Sequence, residues 1–235
     1  MSEIINKLRQ VLIENSNEQL QKSSQQFFKN EIRCYGIKSA DVSTIGKEYF
    51  KTIKDKTKTE IFGLCDELWQ SRIIEESFIA CNWSLFVHKK YEHDDLIVFE
   101  RWIDSYINNW ASCDTFCNHT VWEFLAMYPE YLTELKRWTQ STNRWMRRAS
   151  AVSLIVPARH GMFLKEIIEI ADLLLLDKDD MVQKGYGWML KEASKKHQQE
   201  IFEYVVAKKD IMPRTALRYA IEKMPNELKI KAMEK

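Results

Sequence analysis

The stretch Asn108-Asn109-Trp110-Ala111-Ser112-Cys113-Asp114-Thr115 sets a tryptophan four residues before an aspartate. On a helix that spacing puts both side chains on one face. Asp114 so placed can hold a water or offset developing positive charge beside an aromatic wall. It can equally cap the following helix, with Trp110 in the core. A second stretch, Asn143-Arg144-Trp145-Met146-Arg147-Arg148-Ala149, carries arginines at a helix start. Arg144 and Arg148 are one turn apart and can clamp a phosphate, or they pair within the chain on a solvated face. In a third, Lys184, Trp188, Lys191 and Lys195 step along one helical face, with Gly185 and Gly187 between them. Cations flanking a tryptophan suit phosphates beside an exposed base. The alternative is a core Trp188 covered by lysine stems. Arg214 and Arg218, again one turn apart, extend the basic register or form one more solvated face. One carboxylate, several cations and large flat aromatics together suit a cationic base on a polyanionic backbone.

Other chemistries find no support. Cys113, Cys117 and His119 match no zinc spacing and read as buried thiols with a neighbouring histidine, so no metal and no cofactor is expected. There is no phosphate-binding glycine loop, nucleophile elbow or dinucleotide fingerprint.

The elements that must position these residues read as helices throughout. The chain has 235 residues, 45% hydrophobic, with only 6 Gly and 4 Pro and none of the prolines before Pro129. A β-rich chain of this length needs more turn residues. Helical periodicity covers 2–15, 18–32, 40–53, 57–70, 74–89, 94–109, the run past Asp114 to Met127, 129–139, 143–156, 162–176, 179–195, 197–207, 212–223 and 225–234. Gly36 marks a turn, Ser39 a helix cap, Pro129 a first-turn proline, and Pro157, Pro213 and Pro225 junctions. Most of the 8 tryptophans are expected in the core. Residues 143–149 echo 179–185 at an offset of 36, and Asp114 precedes Arg148 by 34. Helix-pair repeats have periods of about 34 to 47 residues. The expectation is an all-α, right-handed HEAT-like helical-repeat solenoid over residues 1–235 as one domain. It has about six antiparallel helix pairs, with Asp114, Arg148 and Lys184 on successive repeats of a concave basic face.

Net charge is +1, with −2 over residues 1–110 and +3 over 111–235, so any basic surface is local. The opening Met1-Ser2-Glu3-Ile4-Ile5-Asn6-Lys7 lacks the apolar core of a secretion signal, and no apolar run is long enough to span a membrane. An odd five cysteines without framework spacing point to free thiols in a reducing cytoplasm.

Taken in order, Tyr35-Gly36-Ile37-Lys38, Asn109-Trp110-x3-Asp114, Trp145-x2-Arg148, Gln183-Lys184-x2-Gly187-Trp188 and Pro213-Arg214-Thr215-Ala216-Leu217-Arg218-Tyr219-Ala220-Ile221-Glu222 resemble the AlkD family of bacterial DNA alkylation repair proteins. The resemblance covers nearly the whole chain. It implies a HEAT-like solenoid that wraps duplex DNA, and a monofunctional glycosylase that removes positively charged N3- and N7-alkylated purines without a metal. It implies Asp114 as the catalytic aspartate, Trp110 and Trp188 as the aromatic pair beside the lesion's deoxyribose, and Arg148 at the lesion-flanking phosphate. Arg144, Lys184, Lys191, Arg214 and Arg218 are the further candidate DNA contacts. The expected partner is double-stranded DNA carrying alkylated bases, bound by a monomer in the bacterial cytoplasm, on the nucleoid. Two competing classes remain: a non-catalytic binder of damaged or branched DNA, and a HEAT-type protein-interaction scaffold. The enzyme and the DNA binder share the basic face, and only the enzyme needs Asp114.

Overall fold

The structure, a computed structural model, describes residues 2–234. The two ends of the expected 1–235 domain, Met1 and Lys235, lie outside the described residues. Among the described residues there is no strand, only an isolated parallel bridge between Arg33 and Ile73. The chain forms two compact units, one up to Phe124 and one from Leu125.

The first unit holds α1 (Glu3–Glu14), α2 (Glu18–Gln25), α3 (Ser39–Ile53), α4 (Lys58–Gln70), α5 (Ile74–Phe86), α6 (Asp95–Ser105) and α7 (Trp110–Phe116). Local chemistry starts several of them. Asn17 caps α2, and Thr57 and Glu60 form a reciprocal capping box on α4. The Thr57 backbone N–H holds the exposed Glu60 carboxyl down at about 2. The core is aromatic. Phe116, from α7, meets Trp69 at 5.5 Å, Phe99 at 5.6 Å and Trp102 at 5.7 Å, all edge-on. This anchors the buried face of α7 two residues after Asp114.

Three readings of this region change. The helix expected over 18–32 stops at Gln25, because residues 26–38 take up side-chain and bridge contacts with distant α5 and α7. Ser39 is the first helical residue of α3 rather than its cap; Lys38 holds the cap position without a side-chain bond. Trp69, Trp83, Trp102 and Trp138 are core, but Trp110, Trp122, Trp145 and Trp188 are only half-buried, so the tryptophans divide evenly.

The helical run continues through a π-turn at Cys117–Val121 into α8 (Trp122–Met127), within which the two units divide. The second unit holds α9 (Leu132–Trp138), α10 (Arg144–Val152), α11 (Ile155–Arg159), α12 (Leu164–Leu174), α13 (Asp180–Ala193), α14 (Gln198–Lys208), α15 (Arg214–Ile221) and α16 (Asn226–Met233). Pro129 opens a 3-10 turn as its first residue. The helix expected over 143–156 is broken after Val152, and Pro157 lies inside α11, in the first turn, where its missing N–H costs no bond. α10, α11, α12 and α15 all pack on α13.

The 36-residue echo is present bond for bond. Asn143 caps α10 by accepting from Trp145 N–H at 2.9 Å; Asp179 caps α13 by accepting from Met181 N–H at 2.8 Å. Ser141 Oγ accepts from Asn143 N–H, as Asp177 Oδ1 does from Asp179 N–H. Arg147 Nη1 donates to the Ser141 carbonyl, as Gln183 Nε2 does to that of Asp177. These bonds fix where each helix starts, and so which way its fifth residue points.

Candidate functional site

Asn109, not Asp114, caps α7. Its backbone is extended, its side-chain oxygen accepts the Ser112 N–H at 2.9 Å, and its amide donates to Ser112 Oγ at 3.1 Å. The cap of α7 is therefore Asn109. Asp114 stands one turn inside the helix, half-buried, and is not a cap. The Asp114 carbonyl accepts from the Asn118 side chain at 2.9 Å, and the π-turn begins at Cys117. Such turns widen a helix and are frequent beside functional residues.

Trp110, at the first position of α7, is held from outside the helix. Phe28 stacks on it at 5.2 Å with planes 19° apart, and its indole N–H donates to the Phe27 carbonyl at 3.4 Å. A recess of about 210 Å³ opens here, lined by Phe27, Phe28, Ile37, Phe78 and Trp110, with Glu75 among them. The Glu75 carboxylate, buried, accepts the backbone N–H groups of Tyr35, Gly36 and Ile37. Gly36 is needed in that loop: its φ is +77°, and a Cβ would stand 2.3 Å from the Asn17 carbonyl. The sequence does not disclose the partners of Trp110, because Phe27 and Phe28 lie 83 and 82 residues away and the helical periodicity runs on across them.

The second unit divides the candidate cations by what they touch. Arg148 is 5% exposed, and its guanidinium donates to the Met181 carbonyl of α13. Gly185 makes the space, since a Cβ there would stand 3.2 Å from Arg148 Cγ. Arg144 pairs with Asp179 at 3.1 Å and lies 5.0 Å over the Trp145 ring. Lys184 pairs with Asp180 at 3.3 Å, and Lys191 with Glu222 at 3.0 Å, 5.6 Å from the Tyr219 ring. Arg147 is engaged by Asp177 at 2.6 Å. Arg214 and Arg218 are exposed on one face of α15, and among the described residues neither forms an ion pair. Asp114, Arg148, Lys184 and Arg218 are each the fifth residue of their helix.

Trp188 is half-buried on α13 and donates its indole N–H to Glu192 at 3.3 Å. Glu192 is 4% exposed and also accepts from Arg159 at 2.8 Å and Lys195 at 2.6 Å. Burial works against its charge, but the bonds from Lys195 and Arg159 outweigh it and hold the carboxyl below its ordinary value. Glu192 and Arg159 do not stand out in the sequence. The spacing of Trp188 and Glu192 is a local signal for the first; Arg159 has none. Cys113 and Cys117 are fully buried and His119 is exposed, bonded to the Thr115 carbonyl at 2.7 Å. Among the described residues no group of three His, Cys, Asp or Glu side chains is placed to hold a metal ion, and no helix is long and apolar enough to cross a membrane.

Residues 8–224 match the family model described as DNA alkylation repair enzyme. The fold is similar to a solved structure described as a predicted DNA alkylation repair enzyme from Enterococcus faecalis. The TM-score is 0.80 at 15% identity, over 90% of this chain and 98% of that one. No curated protein matches the chain.

Proposed function

The chain belongs to the DNA alkylation repair enzyme family, and on that premise we propose that it excises positively charged N3- and N7-alkylated purines from duplex DNA by hydrolysing the N-glycosidic bond. The observation that carries this reading is the placing of Asp114. Asn109 caps α7, so the carboxylate stands mid-helix, one turn beyond the half-buried Trp110.

The chemistry suits those groups. Alkylation has already charged the purine, so it departs with the bonding electron pair as a neutral base and needs little acid assistance. The deoxyribose is left as an oxocarbenium ion. A carboxylate and an aromatic face stabilise that charge, and water adds at the anomeric carbon and loses its proton. Trp188 is carried over from the resemblance as a second aromatic face.

Phosphate contacts would supply most of the affinity. Arg214 and Arg218 are available directly. Arg144, Lys184 and Lys191 would exchange a part-exposed carboxylate for a phosphate, a small cost, since such pairs contribute about 0–1 kcal/mol. Arg148 is carried over from the resemblance as the contact to the lesion-flanking phosphate. The family match runs through both units, which supports reading them as one repair domain.

The test is single-turnover release of N7-methylguanine or N3-methyladenine from duplex DNA. Release by the wild type that is lost on Asp114→Asn, with DNA binding kept, supports the reading. Binding without release by the wild type would replace it with a non-catalytic DNA binder.

A further inference from the structure

The side chain of Gln25, the last residue of α2, closes the segment that follows it. Its amide nitrogen donates to the Phe28 carbonyl at 3.3 Å and the Asn30 carbonyl at 2.9 Å, and its oxygen accepts the Ile32 N–H at 3.0 Å. Backbone turn bonds carry the chain only as far as Phe28, whose N–H donates to the Gln25 carbonyl at 3.0 Å, and the Gln25 side chain ties the stretch from Phe28 to Ile32. The turn so closed presents two groups to Trp110: the Phe28 ring on its face and the Phe27 carbonyl at its indole N–H. A tryptophan at the first turn of a helix has no preceding turn to fix its ring. Phe27 itself is 75% exposed, so apolar burial does little to hold this segment in place.

We propose that Gln25 is a positioning residue for Trp110: through residues 26–32 it sets the plane of the indole beside Asp114. This rests on the reading of Trp110 as the aromatic wall of the reacting sugar. Gln25 touches no substrate. Its effect belongs to the transition state, where a small misplacement of the aromatic face is costly.

Two variants test it, Gln25→Ala and Gln25→Glu. The second keeps length and the acceptor for Ile32 but turns a carboxylate onto two carbonyls. Gln25 lies outside the buried core, so both should fold with wild-type circular dichroism. Trp110 emission is isolated by subtracting the spectrum of each Trp110→Phe counterpart, and it should shift in both variants. At saturating enzyme, single-turnover excision should fall by about tenfold with duplex affinity unchanged, and the fall should vanish in a Trp110→Ala background. Unchanged Trp110 emission overturns the proposal, as does a rate loss that persists without Trp110. If the wild type excises nothing, the glycosylase reading fails, while the emission arm still decides what Gln25 holds.

Discussion

The indole N–H of Trp188 meets the carboxylate of Glu192 one turn along α13, at 3.3 Å, and the same carboxylate is shared with Arg159 and Lys195. A half-buried tryptophan is thereby tied to a buried anion, and two cations keep that anion charged. Trp188 cannot rotate without leaving Glu192 one donor short.

Glu192→Gln should destabilise the protein by about 1–2 kcal/mol in urea unfolding. The cost stays below that of a fully buried pair because Arg159 and Lys195 are 48% and 40% exposed and regain water. The folded carboxyl lies below its ordinary value of 4.5, so its contribution is complete above that pH and is lost as pH falls through the folded value. The difference between wild type and Glu192→Gln should therefore be constant at neutral pH and shrink below pH 4.5. A difference that grows on acidification would contradict the assignment.

Asp114→Asn should leave thermal stability close to wild type, because Asn109 provides the cap of α7. Losing the charge beside an oxocarbenium-like sugar should slow single-turnover excision about 10²- to 10³-fold. Equal rates for the two proteins would remove Asp114 from the chemistry.

Arg214→Ala and Arg218→Ala should each flatten the salt dependence of duplex binding by about 0.9 in log–log slope for every phosphate left without its cation. Lys184→Ala and Lys191→Ala should change it less, since each of those lysines starts from an ion pair with Asp180 or Glu222. Salt titrations of the four variants, run alike on alkylated and plain duplex, read this order directly.

Two glycines should respond in opposite directions to alanine. Gly63, inside α4, would place a Cβ with nothing within 4 Å, so Gly63→Ala should stabilise by about 0.5–1 kcal/mol. At Gly187 a Cβ would stand 2.7 Å from Tyr219 Cβ and 2.8 Å from the Ala216 carbonyl, where α13 meets α15. Gly187→Ala should destabilise by about 1–3 kcal/mol. Thermal melts of both check the packing of their helices.

The helices themselves were legible in the sequence because the forces that set them are local. Asn143 and Asp179 each carry a side chain that bonds two residues ahead, so the starts at Arg144 and Asp180 lie in the chain's own spacing, whereas the helix expected over 94–109 ends at Ser105 and α7 starts at Trp110 rather than past Asp114. The same register placed Asp114, Arg148 and Lys184 at corresponding positions. The sequence left open whether Asp114 caps the following helix; the backbone geometry gives the cap of α7 to Asn109, a residue not singled out as a cap by the sequence. What each functional side chain touches was decided only by tertiary structure. Arg148 is buried rather than solvated because Gly185, on another helix, leaves room for it. The α2 helix ends at Gln25 against its own periodicity because Phe28 finds Trp110, 82 positions further along. Capping and periodicity act within a turn or two of the chain, whereas an ion pair or a ring stack depends on which distant residue the fold carries alongside.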